Sequence, residues 1–262
     1  MEIAVAATAP FGADVLERLA ARHDVVALLT RPDRPAGRGR RLTAPAAKDT
    51  AERLGIPVLQ PERPTVELAL PAEIVVVCAY GLLIPEGLLE RGLWLNVHPS
   101  LLPRWRGAAP VERSLLADDV ETGVTIHETV KELDAGPIAA QQSFLLTPDD
   151  DAGTVFARSA ELAVELLDAV LSAPVFHPQE GEATYAAKLE PADRELDLAD
   201  PVDSFNRIRA LAPHIGARAE LDGRRVTIWR ARLDDGELVP LEVQPEGKRR
   251  MGYDEFLRGI RA

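Results

Sequence analysis

Leu95-Asn96-Val97-His98-Pro99-Ser100-Leu101-Leu102-Pro103-Arg104-Trp105-Arg106-Gly107-Ala108-Ala109-Pro110-Val111 is the stretch from which the rest of the chain is read. Trp94–Val97 and the earlier Ile74–Val77 read as short buried strands, and the asparagine and histidine fall where the second of them ends. Open α/β sheets carry their sites at such strand ends. Two residues apart in extended chain, Asn96 and His98 point to one face. One is a fixed amide donor and the other titrates near neutral pH. The pair suits a reaction in which a carbonyl oxygen gains negative charge while a proton moves. On its own, Asn-x-His is an ordinary strand end running into a loop. The Pro-rich turn with two arginines that follows sets it apart.

Working outward, Glu2–Thr8, Val25–Leu29, Val58–Gln60, Gly123–Glu128 and Ile138–Leu146 read as further strands, with a short helix expected between the third of these and Ile74. Phe11–Arg22, Ala46–Leu54 and Pro110–Ala117 read as helices, and Gly153–Leu171 carries apolar pairs at a 3.6-residue period. Strands alternating with helices predict an α/β fold: a Rossmann-like, open, mostly parallel sheet with helices on both faces. After residue 176 the composition changes. Residues 177–190 read as a linker and 191–262 as a small β-rich module, with a helix at Pro201–Leu211, a hairpin turning at Asp222-Gly223, a strand at Leu238–Val243 and a last helical turn at Asp254–Gly259. Residues 1–176 are expected to form the catalytic domain.

The chain has 262 residues, 46% hydrophobic and 27% charged, as in an ordinary globular protein. Its single cysteine, Cys78, lies in a buried-strand pattern and reads as a core thiol. No Cys/His cluster has metal-ligand spacing, so no metal is expected. The start, Met-Glu-Ile-Ala-Val-Ala, lacks the charged residues and apolar run of a signal peptide, and no segment approaches a membrane span. A cytoplasmic setting is the expectation. A net charge of −12 argues against indiscriminate nucleic-acid binding. It leaves room for a local basic site, because screening limits each charge to about 8–10 Å.

Such a site lies at 30–48, where five arginines between Arg31 and Arg41, plus Lys48, stand against Asp33 and Asp49. It reads as a loop at the end of a strand, on the side where Asn96 and His98 fall, and its charge suits an RNA backbone or a nucleotide phosphate. Asp134, in Glu-Leu-Asp-Ala-Gly-Pro-Ile, is the third acid/base candidate, although an Asp in a glycine turn is common. A carboxylate near an imidazole favours the imidazolium. No Gly-x-Ser-x-Gly nucleophile is present, so direct transfer between two bound substrates is expected. His127 reads as structural or substrate-lining. No Gly-x-Gly-x-x-Gly follows the first strand, which argues against a dinucleotide.

Leu95–Val111 resembles the signature of folate-dependent formyltransferases, and its Arg-Trp-Arg-Gly-Ala-Ala-Pro ending is similar to that of the members acting on methionyl-tRNA. Pro32–Arg41 resembles their loop that enters the tRNA acceptor end, and Val77–Gly81 with Ile84-Pro85 resembles their folate-lining loop. Glu121–Thr125, Thr184–Leu189, Ile228–Ala231 and Leu241–Met251 extend the likeness nearly end to end. The resemblance implies a transfer of formyl from 10-formyltetrahydrofolate to the α-amino group of methionyl-initiator tRNA, by direct attack through a tetrahedral intermediate. It implies Asn96, His98 and Asp134 as catalytic residues. It places Tyr80, Gly81, Leu82, Leu83, Ser100, Leu101, Leu102 and Pro103 at the folate, and Arg31, Arg34, Arg38, Arg40, Arg41, Lys48, Arg104 and Arg106 at the tRNA. A monomer without membrane contact is expected. Three departures stand out. Ala7 replaces a customary glycine. Pro99, His127 and residues 134–137 are more similar to enzymes acting on glycinamide ribonucleotide or amino-sugar nucleotides. Only Asp-Asp-Gly-Glu separates Leu233 from Leu238, so the C-terminal module resembles a truncated OB-like barrel. The alternatives are therefore a formyltransferase for one of those other acceptors, or a non-catalytic RNA-binding relative.

Overall fold

In the computed structural model, residues 1–36 and 41–261 are described. The chain divides into two compact units, one of Met1–Arg106, Gly123–Ser143 and Ala157–Thr184, the other of Gly107–Thr122, Phe144–Phe156 and Tyr185–Ala262. The boundary expected at 176 is a single cut. The second unit instead also takes in two earlier segments.

The first unit is built on β1 (Glu2–Ala7), α1 (Pro10–Ala20), β2 (Asp24–Leu29), β3 (Arg34–Ala36), β4 (Arg41–Thr43), α2 (Ala46–Leu54), β5 (Val58–Leu59), β6 (Ile74–Cys78), α3 (Glu86–Leu89) and β7 (Leu93–His98). The short strand β8 (Arg106–Gly107) and the helix α4 (Pro110–Leu116) follow, then β9 (Glu121–Glu128), β10 (Ile138–Leu145) and α5 (Ala152–Ser172). The seven-stranded sheet runs β10-β9-β7-β6-β1-β2-β5. β5, β2, β1, β6 and β7 pair in parallel, and β9 runs antiparallel to β7. β1 is apolar and buried from Ile3 to Ala7, because a central parallel strand is covered on both faces. On one face Ala4, Ala6, Ala27, Leu29, Val75, Val77, Tyr80, Leu88 and Trp94 form a single cluster.

From β1 the chain adds β2 and β5 on one side, then returns to add β6 and β7 on the other. Strand order thus reverses between β1 and β6, and the crevice beyond their carboxyl ends is the ligand position in such sheets. This edge is tightly tied: Thr8 Oγ1 donates to the Tyr80 carbonyl at 2.8 Å, and its hydroxyl lies 3.4 Å from that of Thr30. α1 sits close to it because position 12 is glycine.

Two local expectations need correcting. No helix lies between β5 and β6; Pro61, Pro64 and Pro71 punctuate that segment and it runs as turns. The arginine-rich stretch read as a loop contains the antiparallel pair β3–β4, in which Arg34 faces Thr43 and Pro35 faces Leu42.

The second unit continues through β11 (Tyr185–Ala186), α6 (Pro201–Leu211), β12 (Ala217–Leu221), β13 (Arg224–Asp234), β14 (Glu237–Pro245), β15 (Met251–Gly252) and α7 (Tyr253–Arg261). β12 to β15 form an antiparallel sheet in chain order, which is the expected small β module. Asp222-Gly223 and Asp235-Gly236 hold positive φ at all four residues (49°, 70°, 50° and 83°), the geometry of the tight primed hairpin turn. Ile208, Leu211, Ala217, Val226, Ile228, Val243 and Phe256 form its core.

A Cβ on Gly12 would lie 2.4 Å from the Cys78 carbonyl oxygen and 2.8 Å from the Ala7 Cβ, both in rigid backbone surroundings. Gly12→Ala must therefore lift α1 off the sheet. The expected cost is about 1–3 kcal/mol, the scale of overpacking. A thermal midpoint equal to the wild type's would contradict this close approach.

Candidate active site

β7 alternates faces, so Trp94, Asn96 and His98 share one side while Leu95 and Val97 go to the other. Trp94 joins the apolar cluster, and the two polar residues end the strand. The antiparallel register then sets Asn96 directly opposite His127 and His98 opposite Thr125. Asp134 reaches the same place from the turn between β9 and β10.

The hydrogen bonds fix the protonation pattern. His98, 4% exposed, lies with Nε2 at 2.8 Å from the Trp105 carbonyl. A carbonyl only accepts, so Nε2 carries a proton, and in the neutral ring the lone pair is on Nδ1. That Nδ1 is 3.7 Å from Asp134 Oδ2. The gap is too long for a direct hydrogen bond and short enough for both atoms to bond one shared group. His127 is the reverse tautomer: Nδ1–H donates to the Glu128 carbonyl at 2.8 Å, so Nε2 accepts from Asn96 Nδ2 at 3.1 Å. Asn96 Nδ2 also donates to Asp134 Oδ1 at 3.1 Å. Both N–H groups of the amide are therefore engaged, and its orientation follows from its partners. Burial, followed by repulsion from His98, lowers the His127 pKa from 6.5 to about 4. It is a neutral acceptor at physiological pH.

Asp134 sits at φ 47°, a left-handed conformation that costs energy in a non-glycine residue. The turn closes only because Gly136 has no Cβ; one built there would stand 1.9 Å from the Glu128 carbonyl oxygen. Gln179 Nε2 donates to the carbonyls of Asp134 and Gly136 at 2.8 and 2.9 Å, and its Oε1 accepts from Arg106 Nε and Nη2 at 3.1 and 2.6 Å. Trp105 also takes a left-handed φ of 66°, and its N–H donates to Thr184 Oγ1 at 2.9 Å. The Arg104 guanidinium lies 4.5 Å above the Trp105 ring centroid.

The residues expected at the folate divide into two sets. Tyr80 is buried in the apolar cluster, its hydroxyl pushed up to about 12 by burial against the opposing pull of Arg31; Leu82 packs on that cluster, Gly81 is exposed with φ 74°, and Leu83 is exposed. Ser100 is fully buried, its hydroxyl donating to the Arg104 carbonyl at 2.7 Å. The Leu102 N–H donates to Thr125 Oγ1 at 3.1 Å, ahead of a cis Leu102–Pro103 bond, while Leu101 and Pro103 are half-buried.

Of the basic residues expected at the tRNA, Arg34 and Arg41 are exposed and Arg38 and Arg40 lie outside the described residues. The Lys48 amine instead donates to both oxygens of Asp33 at 2.9 Å, and Gln60 bonds Asp33 Oδ1 and the Arg31 carbonyl, each at 2.8 Å. Gln60 first and Lys48 second hold the Asp33 carboxyl below its usual range. Lys48 thus fastens the base of the arginine segment. The Arg31 guanidinium lies beside Gly81, 3.5 Å from where a Cβ would stand. Among the described residues, no group of three or more His, Cys, Asp or Glu is placed to hold a metal ion.

Three site residues carried too little local pattern to be singled out for these roles. Gln179 and Thr184 fall in the expected linker. His127 reads as structural or substrate-lining, and its place beside Asn96 depends on strand register, which a single strand does not reveal.

A profile of the formyl transferase family matches residues 1–171. The methionyl-tRNA formyltransferase of Cereibacter sphaeroides is 38% identical over 295 aligned residues, covering 99% of this chain and 96% of the relative. This protein belongs to the formyl transferase family. The alignment is longer than the chain, so the relative carries segments that are missing here. Two solved structures share the fold. A methionyl-tRNA formyltransferase from Clostridium thermocellum aligns at a TM-score of 0.66 and 17% identity, covering 94% of this chain and 98% of that one. The N-formyltransferase from Helicobacter canadensis, in complex with folinic acid and dTDP-3-aminofucose, aligns at 0.68 and 16%, covering 95% and 98%.

The depressed His127 pKa has a stability consequence. Between pH 6.5 and about 4 the unfolded chain binds a proton that the folded chain refuses, so stability falls as pH drops through that window and levels off below it. The loss is on the order of 3 kcal/mol. Denaturant midpoints measured across this range should fall more steeply for the wild type than for His127→Gln; parallel curves would show that His127 takes its proton freely.

Proposed function

We propose that this protein transfers a formyl group from 10-formyltetrahydrofolate to the α-amino group of methionyl-tRNA. The observation that carries this reading is the convergence of Asn96, His98 and Asp134 at the carboxyl end of β7, with the donors and acceptors given above. Formyl transfer makes one N–C bond, breaks another, and moves one proton from the attacking amine to the leaving nitrogen. His98 suits that proton. Its Nδ1 lone pair faces the 3.7 Å gap to Asp134, while Nε2 stays anchored on Trp105. When Nδ1 takes the proton, the imidazolium faces a carboxylate. As the formyl oxygen becomes an oxyanion, it draws an Asn96 N–H away from the neutral His127 nitrogen, a weaker acceptor.

The residues lining the switch-point crevice suit the donor. Leu82 and Ile84 are apolar and pack on the cluster below, and Ala79 and Gly81 take positive φ (47° and 74°), a tight turn on which a flat ring would lie. The exposed Arg34 and Arg41 flank the segment at the end of β2, on the same edge of the sheet, and suit the phosphates of the acceptor stem. In this reading residues 1–176 carry the chemistry, 177–190 connect, and 191–262 are a reduced RNA-side module. The enzyme acts as a monomer in the cytoplasm. No helix among the described residues is long and apolar enough to cross a membrane.

Purified protein supplied with the folate and methionyl-tRNA should formylate the aminoacyl group, and His98→Ala should lose at least about 10²-fold in turnover. A near-normal turnover in that variant would remove His98 from the proton path. Preference for an amino-sugar nucleotide over methionyl-tRNA in direct competition would reassign the acceptor. Replacing Arg34 and Arg41 by Gln should weaken tRNA binding and flatten its salt dependence, with folate affinity unchanged. An unaltered salt slope would place the RNA elsewhere.

A further inference from the structure

We infer that Gln179 and Thr184 are positioning residues for the transfer reaction, together setting the His98 tautomer and the Asp134 turn from a segment that reads as a passive connector. The inference rests on the formyl-transfer reading for its kinetic consequences only; the geometry stands by itself. His177 exchanges two backbone hydrogen bonds with Ile138, at 2.7 and 2.9 Å, which pins the segment beside the first residue of β10. Two residues on, Gln179 reaches the Asp134–Gly136 turn. Its amide cannot be reversed: Arg106 offers only donors, so Oε1 must face Arg106, and Nε2 must face the two carbonyls. The side chain therefore stabilises an Asp134 conformation that the backbone alone resists.

Thr184 does the same for the other arm. Its N–H donates to the Pro103 carbonyl at 3.2 Å, its carbonyl accepts from the Arg106 N–H at 2.9 Å, and its Oγ1 accepts from the Trp105 N–H. Three bonds thus bracket the left-handed Trp105, whose carbonyl in turn is the acceptor for His98 Nε2–H. Were that carbonyl to turn away, the ring would no longer be obliged to keep its proton on Nε2, and Nδ1 would no longer be the free base beside Asp134. One segment, 177–184, thereby ties the base and its carboxylate to a common support. Mutual placement at this level matters because a displacement of about 1 Å can cost about 10²-fold in rate.

The test combines kinetics with the imidazole nitrogen NMR signals of His98. Thr184→Val removes the Oγ1 acceptor at nearly constant shape. Gln179→Glu keeps the contact with Arg106 but sets a carboxylate oxygen against two carbonyls. Each should lower kcat roughly tenfold to 10²-fold, with KM for folate and methionyl-tRNA changing much less. Thr184→Ser, which keeps the hydroxyl, should turn over like the wild type. In the nitrogen spectrum the wild-type ring should be the Nε2–H tautomer, and Thr184→Val should populate the Nδ1–H form. Wild-type kcat and an unchanged tautomer in Thr184→Val and Gln179→Glu would overturn the inference. So would a wild-type ring already protonated on Nδ1, a result that needs no variant to fold. If the wild type formylates none of the acceptors tried, the functional reading fails, while the tautomer measurement still decides the positioning role.

Discussion

The hydrogen bond from His98 Nε2–H to the Trp105 carbonyl organises this site. It is made at 2.8 Å by a buried ring, where an unpaired donor would be costly. Everything around it serves to aim that carbonyl: the left-handed Trp105, the Ser100 hydroxyl on the Arg104 carbonyl, and the Thr125 hydroxyl, which donates to the Ser100 carbonyl and accepts from the Leu102 N–H. A loop of ordinary appearance is thus held at many points so that one ring nitrogen is fixed as a donor and the other is turned toward Asp134. The strain at Trp105 and Asp134 belongs with this, since residues in sparsely populated backbone regions persist only where their surroundings over-determine them.

Asn96 shows how neighbouring groups define a side chain's role. An amide can present either end to a substrate. Here a carboxylate and a neutral histidine both demand donors, so the NH2 end is assigned before any substrate arrives. The neutrality of His127 follows from its burial and from repulsion by His98, which together outweigh the bond to the Glu128 carbonyl; that bond sets which nitrogen keeps the proton. A protonated His127 would instead offer Asn96 a donor and disturb the pair.

Much of this was legible in the sequence, and the parts that were not share a cause. The parallel strands showed as unbroken apolar runs such as Ile74–Cys78, and the helices Ala46–Leu54 and Pro201–Leu211 matched their expected limits because Gly55 and the Asp200-Pro201 pair mark them chemically. Asn96, His98 and Asp134 stood out in combination, beside the Pro-rich turn with its two arginines; singly each is ordinary at a strand end or turn. Gln179, Thr184 and the contacts of His127 did not. A glutamine in a polar connector has no periodicity, and its value comes from a fold that returns residue 179 to residues 106 and 134. Lys48 shows a contact that its charge alone does not reveal. Its charge suggests an external anion, and within the fold its amine bonds Asp33, fifteen residues earlier.

The C-terminal sheet carries the mark of its shortness in β13. That strand has eleven residues, and β12 pairs only with Arg224–Ile228. From Arg230 to Asp234 its pairing in the sheet is with β14 alone among the described residues, so one edge of backbone donors and acceptors is left open there. An open edge invites another chain to add a strand. The side chains along this one alternate Arg230, Ala231, Arg232, Leu233 and Asp234, with the charged members exposed and Arg232 paired to Asp234 at 3.0 Å. Charges in these positions are how natural sheets discourage edge-to-edge association. Here the exposed charges along Arg230, Arg232 and Asp234 sit where such guarding is needed, so the same residues that keep the module's surface polar also discourage the sheet from templating its own aggregation.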